Sequence, residues 1–144
     1  MNYTCPVCDI LPSSHSLKRV LEKDGILYYY TCPSQATLYY DSKGIVAHYD
    51  GVLSEIPEGK AWIWIFDSIG FGLVHAAQTT VARGLANLIT TKFSHNLKKI
   101  IIINPTFYVR LTHSMVIPFL EKKVRESIEI DLESKTVEDL FLIL

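Results

Sequence analysis

Two stretches of this chain leave little choice of architecture. Residues 61–66 read Ala-Trp-Ile-Trp-Ile-Phe and end on Asp67; residues 99–103 read Lys-Ile-Ile-Ile-Ile and end on Asn104-Pro105. Neither alternates polar with apolar residues. Unbroken apolar strands belong in sheets covered on both faces, and such sheets are parallel, with helical crossovers between strands. Between the two runs, Val74, Ala77, Val81, Leu85 and Leu88 fall on one helical stripe. The three segments form a βαβ unit, expected to be right-handed.

The flanking sequence extends this unit. Ile26–Thr31 (ILYYYT) is β-branched and aromatic and reads as a strand. Asp41-Ser42 caps a helix to about Ile56, with Ile45, Tyr49, Val52, Leu53 and Ile56 on one face and Pro57 and Gly59 as the stop. The rival is a hairpin turning at residues 41–44; the helix is preferred because the buried strand that follows needs a crossover. Before Ile26, Ser13 and Ser14 offer caps for a short helix with Leu17, Val20 and Leu21 on one face, ended by Asp24-Gly25. After Pro105, Phe107, Leu111 and Met115 repeat every four residues, Pro118 kinks or restarts the helix, and Leu120, Val124 and Ile128 continue a stripe. Residues 127–131 suit a short strand. Thr136 or Ser134 caps a last helix, Val137 to Leu144. The expected fold class is α/β: a three-layer α/β/α domain with a mainly parallel sheet, residues 42–144, plus a small N-terminal extension, residues 1–41.

Composition excludes several classes. The 144 residues are 49% hydrophobic and 20% charged, too apolar for disorder. The net charge of −1 lacks the basic excess of a general nucleic-acid binder, so no nucleic-acid partner is expected. No apolar run reaches the roughly 18–20 residues of a membrane span. The N-terminus lacks a signal-peptide pattern, and three cysteines suit a reducing compartment, so the expected location is cytoplasmic.

Catalytic signatures are missing. Gly70-Phe71-Gly72 follows a strand but lacks the third glycine and the distal acidic residue of a dinucleotide fingerprint, and there is no GxSxG or HExxH. Asp67 ends a buried strand, where α/β folds place ligands; the plainer reading is a carboxylate that caps the next turn. His15, His48, His75, His95 and His113 are scattered, with none at metal-ligand spacing. The expectation is a protein that is not an enzyme.

The cysteines carry one positive signal. Cys5-Pro6-Val7-Cys8 has the spacing of a zinc knuckle, in which two thiolates on a tight turn grip one ion. Cys32-Pro33-Ser34-Gln35 looks like a second knuckle with Gln35 in the last place. The candidate set for a structural zinc is Cys5, Cys8, Cys32 and a histidine, His15 or His48, with His15 preferred. The alternative is a reduced thiol pair, with Cys32 packed in a strand.

From Trp62 to Ile128 the order of features resembles the CRAL-TRIO family of lipid-binding and lipid-transfer domains. The pattern is an apolar strand ending Asp67-Ser68-Ile69-Gly70, a helix, the turn Phe93-Ser94-His95-Asn96-Leu97-Lys98, and an apolar strand ending at Asn104-Pro105. An aromatic helix, Pro118-Phe119-Leu120, the basic Lys122, Lys123 and Arg125, and Ile128 follow. Asn104-Pro105-Thr106 is closer to the BCH branch, known as interaction scaffolds. What the resemblance implies is a non-catalytic domain that holds a hydrophobic ligand, such as a phospholipid, between the sheet and a gate helix over residues 106–120. Phe107, Tyr108, Leu111, Met115 and Phe119 would line the pocket. Lys122 and Lys123, with Arg125, would face anionic head groups in a peripheral membrane contact. The alternative it implies is a BCH-like scaffold with a collapsed pocket and a protein partner.

Overall fold

In a computed structural model of the chain, which describes residues 3–11 and 14–142, the two apolar runs lie side by side and parallel. They are strands β3 (Ala61–Asp67) and β4 (Leu97–Ile103), with Trp64 opposite Ile100 and Asp67 opposite Ile103. Strands β1 (Lys18–Lys23), β2 (Ile26–Thr31) and β5 (Ile128–Asp131) complete one sheet in the order β1-β2-β3-β4-β5. The β1–β2 pair is antiparallel and every other pair parallel.

The helix preferred over the hairpin at residues 41–44 forms as α2 (Ser42–Leu53), which follows a five-residue helix α1 (Pro6–Ile10) near the N-terminus. Asp41 caps α2 by accepting from Gly44 N at 3.1 Å. The second crossover is broken where one helix was expected: α3 (Leu73–Ala76) stops, Gln78 leaves helical geometry, and α4 (Thr79–Leu88) begins. A π-helical turn, Ile89–Phe93, buries both its end residues, and the Phe93 carbonyl accepts from Trp62 Nε1 at 3.0 Å. Beyond β4 come α5 (Phe107–Val116), a 3-10 turn around Pro118, and α6 (Lys122–Ser127). Thr136 caps α7 (Val137–Phe141), while Ser134 binds Asp131 instead. The expected extension of this helix to Leu144 runs beyond the described residues.

One expectation fails outright. Residues 18–23 are strand, not helix. Asp24 and Gly25 both have positive φ, 53° and 78°, the backbone of a two-residue turn that matches strand twist and closes the hairpin Lys23–Ile26. The spacing of Leu17, Val20 and Leu21 imitates a helical face, but Leu17 and Leu21 pack into clusters on opposite faces of the sheet, with a register slip between Arg19 and Leu21. Ser14 caps no helix; its hydroxyl donates to the Leu11 carbonyl at 2.5 Å. Ser13 lies outside the described residues.

The sequential strand order decides how the layers fill. Right-handed crossovers that always advance in one direction put their helices on the same face. On that face Trp62, Trp64 and Ile100 pack against Ile45, Tyr49 and Leu53 of α2, Val81 and Leu85 of α4, and Val124 of α6. The opposite face is thinner: Tyr28, Ile63, Ile65, Ile101 and Ile103 are covered by Leu140, Val137 and Phe141 of α7.

Candidate functional site

The carboxyl ends of the central strands are tied together by Asp67. Its carboxylate accepts from Tyr30 Oη at 2.7 Å, Asn104 Nδ2 at 3.0 Å and Ile69 N at 3.0 Å. Asn104 also donates to the Lys135 carbonyl at 2.8 Å. Burial first, and the adjacent carboxylate next, push the Tyr30 phenol far up. The plainer reading of Asp67 fits this geometry: it caps the turn into Gly70 (φ 71°) and joins β2, β3 and β4.

A cavity of ≈110 Å³ lies between the helical face of the sheet and α4, α5 and α6. Its walls are apolar, among them Phe66, Phe71, Ile102 and Ala86. Helix α5 contributes Val109, Thr112, His113 and Val116, an i, i+3, i+4, i+7 face. Three of the lining residues carry a buried polar atom. Trp64 Nε1, Thr112 Oγ1 and His113 Nε2 are buried without a hydrogen-bond partner among the described residues. Burial pushes the His113 imidazole below its ordinary value, which favours the neutral ring.

The helix expected to line a pocket does so, but with its other face. Phe107, Tyr108, Leu111, Met115 and Phe119 are not among the cavity-lining side chains. Phe107 and Leu111 are 70% and 53% exposed, and Phe119 is 50% exposed beneath the Arg83 guanidinium. Tyr108 packs at the edge of the Phe71–Ile102–Val109 cluster, and Met115 is half-buried. The four-residue repeat marks an apolar face turned outward; the inner face carries Thr112 and His113 and so does not stand out in the sequence. Lys122 and Lys123 are exposed at the start of α6. Lys122 pairs with Glu126 at 3.7 Å, and Lys123 donates to the His95 carbonyl at 2.7 Å. Arg125 lies in the last turn.

A second cluster forms where the N-terminal segment crosses α2. Cys5, Cys8, His15 and His48 each present one ligand atom, all within 4.8 Å of one another. Cys5 Sγ lies 3.4 Å from His15 Nδ1, and Cys8 Sγ lies 3.8 Å from His15 Nδ1 and 3.9 Å from His48 Nδ1. The knuckle spacing thus meets both histidines, which the linear sequence keeps 33 residues apart. Cys32, expected in this set, is not brought to it: it is fully buried, with its sulfur 3.4 Å from Ser34 Oγ and 3.9 Å from the Ile69 carbonyl. Burial raises the Cys8 thiol. Burial lowers the His48 imidazole against the opposing pull of the Leu17 carbonyl. The cluster is compatible with zinc.

An open, largely parallel sheet with helices massed on one face, and an apolar cavity beneath a helix that follows a central strand, defines a class of ligand-binding α/β domain. The CRAL/TRIO domain family matches residues 34–142, and the chain belongs to it. The crystal structure of Sfh5 has the same fold, with a TM-score of 0.63 at 10% identity over 80% of this chain. The chain spans 47% of that protein's length. No match was found among curated proteins. The family places the chain among lipid-binding or lipid-transfer domains in general, a group that is not typically catalytic. Among the described residues, no helix is long and apolar enough to cross a membrane.

Proposed function

We propose that this domain binds a lipid without catalysis, its acyl portion entering the cavity between the sheet and α5. The observation that carries this reading is the cavity itself: apolar walls that include Trp64, Thr112 and His113, each with a buried polar atom lacking a partner among the described residues. Ligand sites in general combine an apolar lining with a few polar groups that orient the ligand. Burying each methylene contributes about 0.8 kcal/mol, so one acyl chain is enough to hold a lipid. At ≈110 Å³ the cavity is smaller than the roughly 300–1,000 Å³ of occupied ligand pockets, so entry requires α5 to swing outward. Asn104 (φ 52°) before α5 and Pro118 after it bound the moving piece. The outward Phe107, Leu111 and Phe119 then meet the bilayer, while Tyr108 and Met115 join the lining of the opened state. Lys122, Lys123 and Arg125 contribute about 1 kcal/mol each against anionic head groups. In this reading the protein works in the cytosol with peripheral membrane contact, residues 42–144 carry the lipid function, and residues 1–41 are an extension of it.

The test is transfer of a fluorescent-tailed phospholipid from vesicles to the purified protein, with native mass spectrometry to count bound lipid. Expected are one lipid per chain and loss of uptake in Ala86→Phe, which fills the cavity. A folded wild-type chain that takes up no lipid from neutral or anionic vesicles overturns the reading. The small cavity favours one alternative, a BCH-like interaction scaffold with a collapsed pocket and a protein partner; absent uptake together with unchanged folding is its signature.

A further inference from the structure

We propose that Cys5, Cys8, His15 and His48 form a closed structural zinc site that clamps the N-terminal segment onto helix α2. A tetrahedral ion with Zn–S of about 2.3 Å and Zn–N of about 2.0–2.1 Å sets its donor atoms about 3.3–3.8 Å apart. The Sγ–Nδ1 separations of 3.4, 3.8 and 3.9 Å already approach that spacing.

The outer partners fix the chemistry of the donors. His15 Nε2 lies 3.2 Å from Asp41 Oδ2, and His48 Nε2 lies 2.8 Å from the Leu17 carbonyl. A carboxylate and a carbonyl only accept, so both Nε2 atoms carry protons. Nδ1 of each ring is then the nitrogen left to bind an ion, and it is the nitrogen that faces the sulfurs. Metal-bound histidines are oriented in the same way, by an acceptor on the far nitrogen. Cys8 N also points at Cys5 Sγ, at 3.5 Å, and holds the two cysteines on one tight turn.

The surroundings make room for this arrangement. A Cβ at Gly44 would collide with the Asp41 carboxylate and come within 2.9 Å of His15 Nε2. Tyr3 lies across Gly51 of α2, edge-on to His48 with ring centroids 6.2 Å apart, and its backbone N–H donates to Glu55. Cys5, His15 and His48 are 8%, 5% and 8% exposed. Four protein donors leave no open position, so the ion's role is structural rather than catalytic. Two thiolates with two imidazoles in a tetrahedral set favour zinc over the hard cations.

Metal analysis of the protein purified without chelator is expected to give one zinc per chain. Cys8→Ser and His48→Ala are expected to lose it, and Cys32→Ser to keep it. Should the first two variants not fold, cobalt substitution of the wild type decides. Its thiolate-to-metal charge-transfer intensity is expected to correspond to two sulfurs. A chain with well under one zinc and no cobalt bands, a metal-free Cys5–Cys8 disulfide, a signal for three sulfurs, or metal loss in Cys32→Ser each overturns the assignment. The readout is independent of lipid uptake, so either proposal can fail alone.

Discussion

Gly51 sits in the last turn of α2, where glycine still weakens a helix, by up to about 1 kcal/mol relative to alanine. The Tyr3 ring explains it, because a methyl group at this position would occupy the space of the ring. The effect of Gly51→Ala should therefore change sign with its neighbour. In the wild-type background it destabilises by displacing Tyr3; in Tyr3→Ala it stabilises by about 1 kcal/mol, measured by denaturant unfolding. Equal effects in both backgrounds would show that Tyr3 does not lie on α2. The same residues show what was legible at this scale. The pair Cys5–Cys8 announces itself through its spacing, and Asp67 through its place at a strand end. His48 stands in the sequence only as an alternative to His15, because the meeting of the two depends on the segment before β1 crossing α2. Cys32 was misleading: the following Pro-Ser-Gln copies a knuckle, yet the sulfur is sealed under the Ile69 turn.

Among the elements, the strands that lie deepest were the easiest to read. The runs at β3 and β4 need burial on both faces, and burial on both faces dictates helices between them. The edge strand β1 resembles a helix in sequence because its exposed, charged face carries little pattern, and because Asp24-Gly25 serves equally as a helix stop and a hairpin turn. Helix α5 forms where the sequence places it, with Phe107 and Leu111 outward and Val109, Thr112, His113 and Val116 toward the cavity. Its outward face shows the stronger apolar repeat, whereas its inward face mixes Val109 and Val116 with Thr112 and His113. Stability measurements will separate the two faces. Phe107→Ser with Leu111→Ser should shift unfolding by about 0.5 kcal/mol or less each, as exposed substitutions do, while Val109→Ser should cost about 1–3 kcal/mol. A large loss from the outer pair would mean that this face is covered in the native protein.

For the molecule as a whole, two half-buried histidines shape how stability responds to acid. Burial holds His75 and His113 below the ordinary 6.5, and Gly72 N donates to His75 Nδ1 at 3.0 Å, a bond only the neutral ring accepts. Between the folded and ordinary values the unfolded chain binds more protons, so unfolding free energy rises with pH in that window. Stability should accordingly be level above 6.5 and decline as pH falls below it; His113→Leu should make the decline shallower, measured by urea unfolding across the range. An unchanged slope in that variant would place the acid response elsewhere.

Strand order carries a consequence for synthesis. Each strand hydrogen-bonds to the one made immediately before it, from β1 through β5. A polypeptide leaving the ribosome can therefore lay down this sheet in the order of translation. The hairpin supplies a local template, and each later strand meets a neighbour that has already been made.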